Sequence, residues 1–170
     1  MKRSPLFALG LVPFLAAVSP AAAFESLVLL GETHHIHPAG GTVNAAEGTQ
    51  DVLATGQQTD GQISILIGND AVGTNTGGVM VHANEAEMWY VLEGTYVFTV
   101  DDRIFEGGPG TFVAVDAGVP RSFEAKTSGR LMLIYTPGGF EQLFKDWDEQ
   151  GLEPGPELEA LQAAYGITRP

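Results

Sequence analysis

The sequence predicts an all-β protein, a sandwich or barrel of short strands, with one or two short helices near its C-terminal end. Strand-like segments recur at intervals of roughly eight to ten residues from position 63 to 136, with turn residues between them. The 170 residues include 22 Gly and 10 Pro, which supply the turns that such a fold needs. Hydrophobic residues make up 44% of the chain, enough for the core of one domain with tails.

Residues 1–23 have the layout of a secretory signal peptide. Lys2 and Arg3 form a basic start, residues 6–18 are mostly apolar, and three alanines ending at Ala23 offer a small-residue cleavage site. The apolar run is short for a membrane span and is broken by proline, which disfavours the alternative of an uncleaved anchor. We therefore expect a periplasmic or secreted protein, cleaved near Ala23, whose mature chain does not span a membrane.

The charge balance and the absence of cysteine exclude several kinds of function. The chain carries 8 basic and 21 acidic side chains, a net charge of −13, and loss of the signal peptide makes it two units more negative. Such a surface repels phosphate groups, so we expect no nucleic-acid partner. The chain has no Cys, which excludes disulfides, thiolate metal sites and a cysteine nucleophile.

Residues 24–50 are predicted to form an N-terminal arm that holds three of the four histidines, His34, His35 and His37. In an extended segment, His35 and His37 share a face, which would suit an auxiliary site for Zn²⁺, Cu²⁺ or Ni²⁺. The alternative is a solvated arm before a turn, and it is favoured because no carboxylate lies at a fixed spacing nearby.

Residues 51–137 are predicted to form the β domain. Ile63, Ile65 and Ile67 alternate with other residues in the clearest strand, and a long turn is expected over residues 69–78. Further strands are predicted over residues 95–100, 103–106, 111–115, 121–125 and 130–136.

Residues 138–170 are predicted to form a helical tail. Two sets of apolar residues recur at helical spacing on either side of a break at residues 153–156. They are Phe140, Leu143, Phe144 and Trp147 in the first set, and Leu158, Leu161 and Tyr165 in the second. Such stripes indicate surfaces that pack against the β domain.

The stretch 78–94 places an imidazole and a carboxylate on neighbouring strands. β-formers surround both His82 and Glu87, and the polar segment between them predicts a bend. Two such strands can bring His82 and Glu87 together inside a barrel. Nitrogen and oxygen ligands together suit a divalent transition metal.

This stretch resembles the first motif of the cupins, G-x5-H-x-H-x(3,4)-E-x6-G, especially in their quercetinase-like single-domain bacterial members. With Glu87 and Gly94 placed on the motif, His82 is its second histidine and Met80 stands at the first. The opening glycine of the motif falls on Thr74.

The segment 110–125 resembles the second cupin motif, G-x5-P-x-G-x2-H-x3-N. Gly110 and Gly118 match it, whereas the proline falls on Asp116, the histidine on Arg121 and the asparagine on Ala125. The resemblance covers roughly residues 51–140 and implies a double-stranded β-helix, the jelly-roll barrel of the cupins.

The resemblance also implies a metal held by three histidines and a glutamate, of which this chain keeps His82 and Glu87. Met80 offers a soft sulfur that suits hard divalent ions poorly, and Arg121 adds a fixed positive charge. We therefore expect no cofactor, or else one divalent transition metal (Fe, Mn, Ni, Cu or Zn) on His82 and Glu87.

The arginine suggests what replaces the metal. We expect Arg121 to lie inside the barrel and to pair with Glu87 or Asp116. An arginine in an apolar cup also suits a small-molecule ligand that carries a carboxylate, bound near Met80 and His82. The aromatic residues interpreted either as walls of the cup or as ordinary core are Trp89, Tyr96 and Phe98.

Three functions remain open from the sequence. The first is an exported small-molecule-binding barrel with a lost or altered metal centre. The second is a metal-dependent dioxygenase or isomerase with a non-standard ligand set. The third is a structural dimerisation module, because cupins often pair through their outer strands, and a homodimer is expected.

Overall fold

The computed structural model describes residues 49–170 together with the backbone of residues 34–36. The predicted signal peptide and most of the predicted N-terminal arm, including the proposed histidine site, lie outside this part of the chain. Among the helices of the described residues, none is both long enough and apolar enough to cross a bilayer.

The described chain folds into short strands with two helices near the C-terminal end. The strands are β1 (His34–Ile36), β2 (Thr49–Ala54), β3 (Ser64–Asp70), β4 (Val81–His82), β5 (Ala86–Glu93), β6 (Tyr96–Val100), β7 (Arg103–Gly107), β8 (Phe112–Val115), β9 (Arg121–Ala125), β10 (Gly129–Thr136) and β11 (Ile167–Thr168). The helices are α1 (Glu141–Gln150) and α2 (Pro156–Ala164). This confirms the predicted all-β fold with short C-terminal helices.

The strands form two main antiparallel sheets. The larger sheet has the order β1-β2-β3-β10-β5-β8, the smaller one the order β7-β6-β9, and β11 pairs with β4. Strand β10 lies between β3 and β5, so the larger sheet joins strands that are far apart in sequence. Crossovers of this kind are typical of a jelly roll.

Alternation along the central strands decides which side chains face the interior. On β5, Glu87, Trp89 and Val91 are buried, and they alternate with more exposed neighbours. Register with β10 sets Glu87 opposite Tyr135 and Trp89 opposite Leu133. Glu87 is therefore carried into the barrel by the same alternation that buries the apolar side chains.

Aromatic rings fill the space between the two sheets. Phe98 stacks on Trp89 with ring centroids 5.4 Å apart and on Tyr96 at 6.0 Å, and Phe123 meets Trp89 edge-on at 5.7 Å. Trp89, Tyr96 and Phe98 are each fully buried. These rings form the closed, packed end of the barrel.

The segment before β4 runs along β9 and makes an irregular edge of the smaller sheet. The Gly73 N–H donates to the Ala125 carbonyl at 2.8 Å, and Met80 and Arg121 exchange two backbone hydrogen bonds of 2.9 and 2.8 Å. The turn predicted over residues 69–78 is therefore shorter than expected. Strand β3 continues to Asp70 because β10 pairs with it up to that residue.

The C-terminal segment folds back across one end of the barrel. Helix α1 buries Leu143 and Trp147, and α2 buries Leu158. The chain then forms β11, in which Ile167 pairs with His82. The helical stripes were predicted, whereas the two-residue strand carries too little pattern to be recognised from the sequence.

A buried polar pair, Asp70 and Tyr96, joins the two sheets. The Tyr96 hydroxyl donates to Asp70 Oδ2 at 2.8 Å, and 5% of Asp70 is exposed. Burial raises the pKa of Asp70 from 3.8 to about 6, against the opposing effect of the Tyr96 hydrogen bond. The folded state therefore favours the protonated carboxyl.

Gly129 is the residue that allows the backbone to approach Tyr96. A Cβ at Gly129 would lie 2.5 Å from the Glu93 carbonyl oxygen and 2.8 Å from the Tyr96 hydroxyl. We expect Gly129→Ala to lower the free energy of unfolding by about 1–3 kcal/mol, as overpacking does. Gly108→Ala is a matched control, because its Cβ would meet nothing nearer than the Gly94 oxygen at 4.0 Å. Denaturant unfolding that gives equal stabilities for the two variants would contradict this role.

Asp70 predicts a pH dependence of stability. Because the pKa of Asp70 is raised in the fold, its contribution is fully present below pH 3.8 and is lost as the pH rises through about 6. One pKa unit corresponds to about 1.4 kcal/mol, so Asp70→Asn should be more stable than the wild type at pH 8 by up to about 3 kcal/mol. Thermal melts should show this advantage shrinking as the pH approaches 4. The assignment would be refuted if the stability of Asp70→Asn, measured relative to the wild type, were lower at pH 8 than at pH 4.

Candidate functional site

A cavity of about 110 Å³ lies between the barrel and the C-terminal segment. Its polar lining consists of Gln50, Asp70, Thr74, Asn75, Thr76, His82, Glu87 and Gln162. Its other lining residues are Met80, Phe123, Leu133, Tyr135, Phe140, Leu143, Phe144, Trp147 and Ile167. The cavity therefore combines an apolar, largely aromatic wall with a few polar groups, as small-molecule sites do.

His82 is held in this cavity by stacking and not by hydrogen bonds. Its ring lies parallel to Tyr135 with centroids 6.1 Å apart, and Phe140 packs against it at 4.6 Å. The side chain is fully buried, and neither ring nitrogen has a hydrogen-bond partner among residues 49–170. Burial, helped by the charge of Arg121, lowers the pKa of His82 to about 3. A neutral imidazole thus presents one donor and one acceptor.

Glu87 is buried beside His82 and is only partly satisfied. Its Oε1 accepts a hydrogen bond of 2.8 Å from Trp89 Nε1. Its Oε2 lies 3.9 Å from His82 Nε2 and 3.7 Å from Arg121 Nη1, without a hydrogen-bond partner in the described chain. Burial raises the pKa of Glu87, although the charge of Arg121 and the hydrogen bond from Trp89 oppose the rise.

Arg121 is buried behind Glu87 and is held by backbone carbonyls. Its guanidinium donates to the carbonyl oxygens of Val115 at 3.3 Å, Asp116 at 3.1 Å and Glu85 at 3.4 Å. The expected pair with Glu87 is present, whereas Asp116 contributes its backbone oxygen in place of its carboxylate. Burial lowers the pKa of Arg121, and the neighbouring carboxylates oppose this effect.

Glu85 adds a second carboxyl at the edge of the site. Its Oε2 lies 4.0 Å from His82 Nδ1, and burial raises the pKa of Glu85. Both ring nitrogens of His82 thus face a carboxyl group across a gap that is too long for a direct hydrogen bond.

The predicted ligand-binding residues divide into two groups. Met80, His82 and Glu87 line the cavity. Arg121, Trp89, Tyr96 and Phe98 are fully buried and do not line it, so the three aromatic side chains lie in the ordinary core, one of the two interpretations that the sequence leaves open. Alternation along the strands turns the side chains of both groups toward the interior. The cavity lies where the C-terminal segment covers these side chains, and the packed core lies where the opposite sheet covers them.

Several lining residues were not predicted from the sequence. Asp70 is the last residue of β3, and Thr74 lies in the segment that follows. The composition of this stretch indicates only a turn. Tyr135 was assigned to a strand without a role in the site. The first helical stripe, which the sequence predicts as a packing surface, also lines the cavity with all four of its members, Phe140, Leu143, Phe144 and Trp147.

The residues present do not fit the metal site that the cupin resemblance implies. His82 Nε2 and Glu87 Oε2 are the two donors that remain, and the Arg121 guanidinium lies 3.7 Å from that same oxygen. A fixed positive charge at this distance competes with a cation for the carboxylate. Within residues 49–170, no cluster of three or more His, Cys, Asp or Glu is placed to hold a metal.

Comparisons with known proteins agree with the fold. Residues 68–137 match the family described as Cupin domain. No curated protein matches the chain. A solved RmlC-like cupin from Shewanella frigidimarina is similar at 20% identity, covering 67% of this chain and 92% of its own, with a TM-score of 0.52.

Two further solved structures show the same architecture. KdgF from Halomonas sp. has 11% identity over 65% of this chain and 92% of its own, with a TM-score of 0.52. Streptomyces PAC13 with uridine has 17% identity over 65% of this chain and 80% of its own, with a TM-score of 0.50. Identities this low establish the fold and leave the activity open. The family match and the jelly-roll topology together identify residues 68–137 of this protein as a cupin domain.

Proposed function

We propose that this cupin domain is a small-molecule-binding barrel that recognises its ligand without a metal. The observation that carries the proposal is that two residues lining the cavity have buried atoms without partners among the described residues: His82 Nδ1, His82 Nε2 and Glu87 Oε2. Leaving a buried polar group unpaired costs about 1–3 kcal/mol. A ligand that supplies the missing hydrogen bonds recovers this free energy on binding.

The charges around the cavity favour a neutral ligand over the carboxylate considered from the sequence. Arg121 does not line the cavity, whereas its partner Glu87 does, with Oε2 3.7 Å from the Arg121 Nη1. The carboxyl groups that do line it are Asp70 and Glu87. An anionic ligand would therefore meet carboxyl oxygens at close range without a direct cationic partner.

The volume and the lining indicate the size of the ligand. An apolar cavity of roughly 150 Å³ holds a benzene molecule, and this cavity measures about 110 Å³. Its wall includes Tyr135, Phe140 and Phe144, which offer ring faces and edges. Because this cavity is the smaller of the two, a compact neutral molecule of no more than one ring, with small polar groups, matches these features.

A metal-dependent dioxygenase or isomerase is less well supported by the same geometry. Its chemistry would need further donors in place of Met80 and Arg121.

His82→Phe should separate binding from stability. Phenylalanine keeps a ring packed against Phe140 but removes two unpartnered nitrogens, so we expect the variant without ligand to be more stable by about 1–3 kcal/mol. Its affinity for neutral single-ring ligands, such as phenol or 2-pyridone, should fall by about tenfold or more. Chemical unfolding and calorimetric titration measure the two effects.

The matched control for this experiment is Phe144→Leu, which changes the cavity wall without removing a polar atom. A His82→Phe variant that is destabilised, or that binds phenol as well as the wild type does, would contradict the proposal. Tighter binding of benzoate than of phenol by the wild type would contradict the preference for neutral ligands.

We expect the positive charge of Arg121 to stabilise the buried Glu87 carboxylate in the way that a metal ion would. Arg121→Met leaves Glu87 buried without its counter-charge, and breaking a buried pair in this way costs about 3–5 kcal/mol. Adding Glu87→Gln should restore part of the lost stability, because the unpaired charge is then removed. The four free energies of unfolding form a double-mutant cycle that measures the coupling.

The metal content of the protein is a second test of whether Arg121 takes the place of a metal ion. Elemental analysis of wild-type protein prepared with Fe, Mn, Ni, Cu and Zn should give far less than one equivalent in the barrel. A full equivalent that is lost in His82→Ala would overturn the metal-free assignment. A coupling of zero between Arg121 and Glu87 would overturn the charge replacement.

A further inference from the structure

The cavity has a second group of polar residues, remote from His82 and Glu87. It consists of Gln50 on β2, Asp70 at the end of β3 and Thr74 in the segment that follows. Along β10, the partner of Asp70 is Gly129, whereas the partner of Glu87 is Tyr135 at the other end of the strand. The two polar groups therefore lie at opposite ends of the cavity.

Apolar side chains separate the two ends. Met80 lies between Thr74 and His82 along the irregular edge segment, and Leu133 lies between Gly129 and Tyr135 on β10. Both side chains are buried and line the cavity. The lining thus changes from polar to apolar and back to polar along its length.

The remote group also has unused hydrogen-bonding capacity. Thr74 is 5% exposed, and its Oγ1 has no partner among the described residues. The buried Oε1 of Gln50 is likewise without one. Asp70 is fixed by the hydrogen bond that its Oδ2 accepts from Tyr96. The atoms offered are mainly acceptors, since a hydroxyl can both donate and accept while carbonyl and carboxylate oxygens only accept.

On these grounds, and on the basis of the proposed function, we infer that Gln50, Asp70 and Thr74 form a second polar subsite that binds a hydroxyl or N–H donor of the ligand. The ligand of this cavity is then a neutral molecule with an apolar middle and a polar group at each end. One end binds His82 and Glu87, and the donor at the other end binds the subsite around Thr74.

Two isosteric probes test this arrangement. 4-Hydroxybenzyl alcohol and 4-ethylphenol share a phenol ring and differ in whether a hydroxyl or a methyl group ends the side chain. The wild type should bind 4-hydroxybenzyl alcohol about tenfold more tightly, which corresponds to one net hydrogen bond. Thr74→Val should abolish this advantage and leave the affinity for 4-ethylphenol unchanged. Isothermal titration calorimetry measures all four affinities.

Thr99→Val is the matched control, because Thr99 lies on β6 and does not line the cavity. It should keep the full preference for the alcohol. Equal binding of the two probes by the wild type, or a preference that survives in Thr74→Val, would overturn the second subsite while the proposed function stands. If neither probe binds, or if His82→Phe binds both as well as the wild type does, the proposed function fails and the second subsite fails with it.

Discussion

The ion pair of Glu87 and Arg121 is the interaction on which this end of the barrel depends. Alternation along β5 carries the Glu87 carboxyl into an apolar interior, where a lone charge would be strongly unfavourable. Arg121, on β9, supplies the counter-charge. Its guanidinium also donates hydrogen bonds to the backbone carbonyls of Glu85, Val115 and Asp116. One guanidinium thus joins three strands and the loops beside them. Removing it would leave both a carboxyl and several carbonyl groups without partners.

Much of this arrangement could be predicted from the sequence, because it depends on strand periodicity. The alternation of buried positions defines the strands, and the motif register places His82, Glu87 and Arg121 at neighbouring points of the barrel. The presence of an arginine at a position where the resemblance implies a histidine was enough to predict the pair with Glu87. Periodicity and charge can be recognised from short stretches of a sequence, and they determine where these three side chains lie.

The cavity itself could not be predicted in the same way. Trp89, Tyr96 and Phe98 point inward as Glu87 does, and alternation cannot tell an inward residue in a packed core from one that faces a cavity. That difference depends on the C-terminal segment, which closes one end of the barrel through contacts remote in sequence. The pairing of Ile167 with His82 joins residues that are far apart in sequence, and neither residue carries a local signal for it.

Where no donor set fits a metal, other contacts must keep His82 in place. A coordinated metal would orient an imidazole through a bond, and second-shell hydrogen bonds would fix its other nitrogen. Here the ring packs against Phe140, just before α1, and Phe140 in turn stacks on Tyr135 with ring centroids 4.3 Å apart. Stacking restrains the plane of the ring but uses neither nitrogen, so both remain available for a ligand. The C-terminal segment is therefore part of the site, because the aromatic contact that orients His82 comes from it.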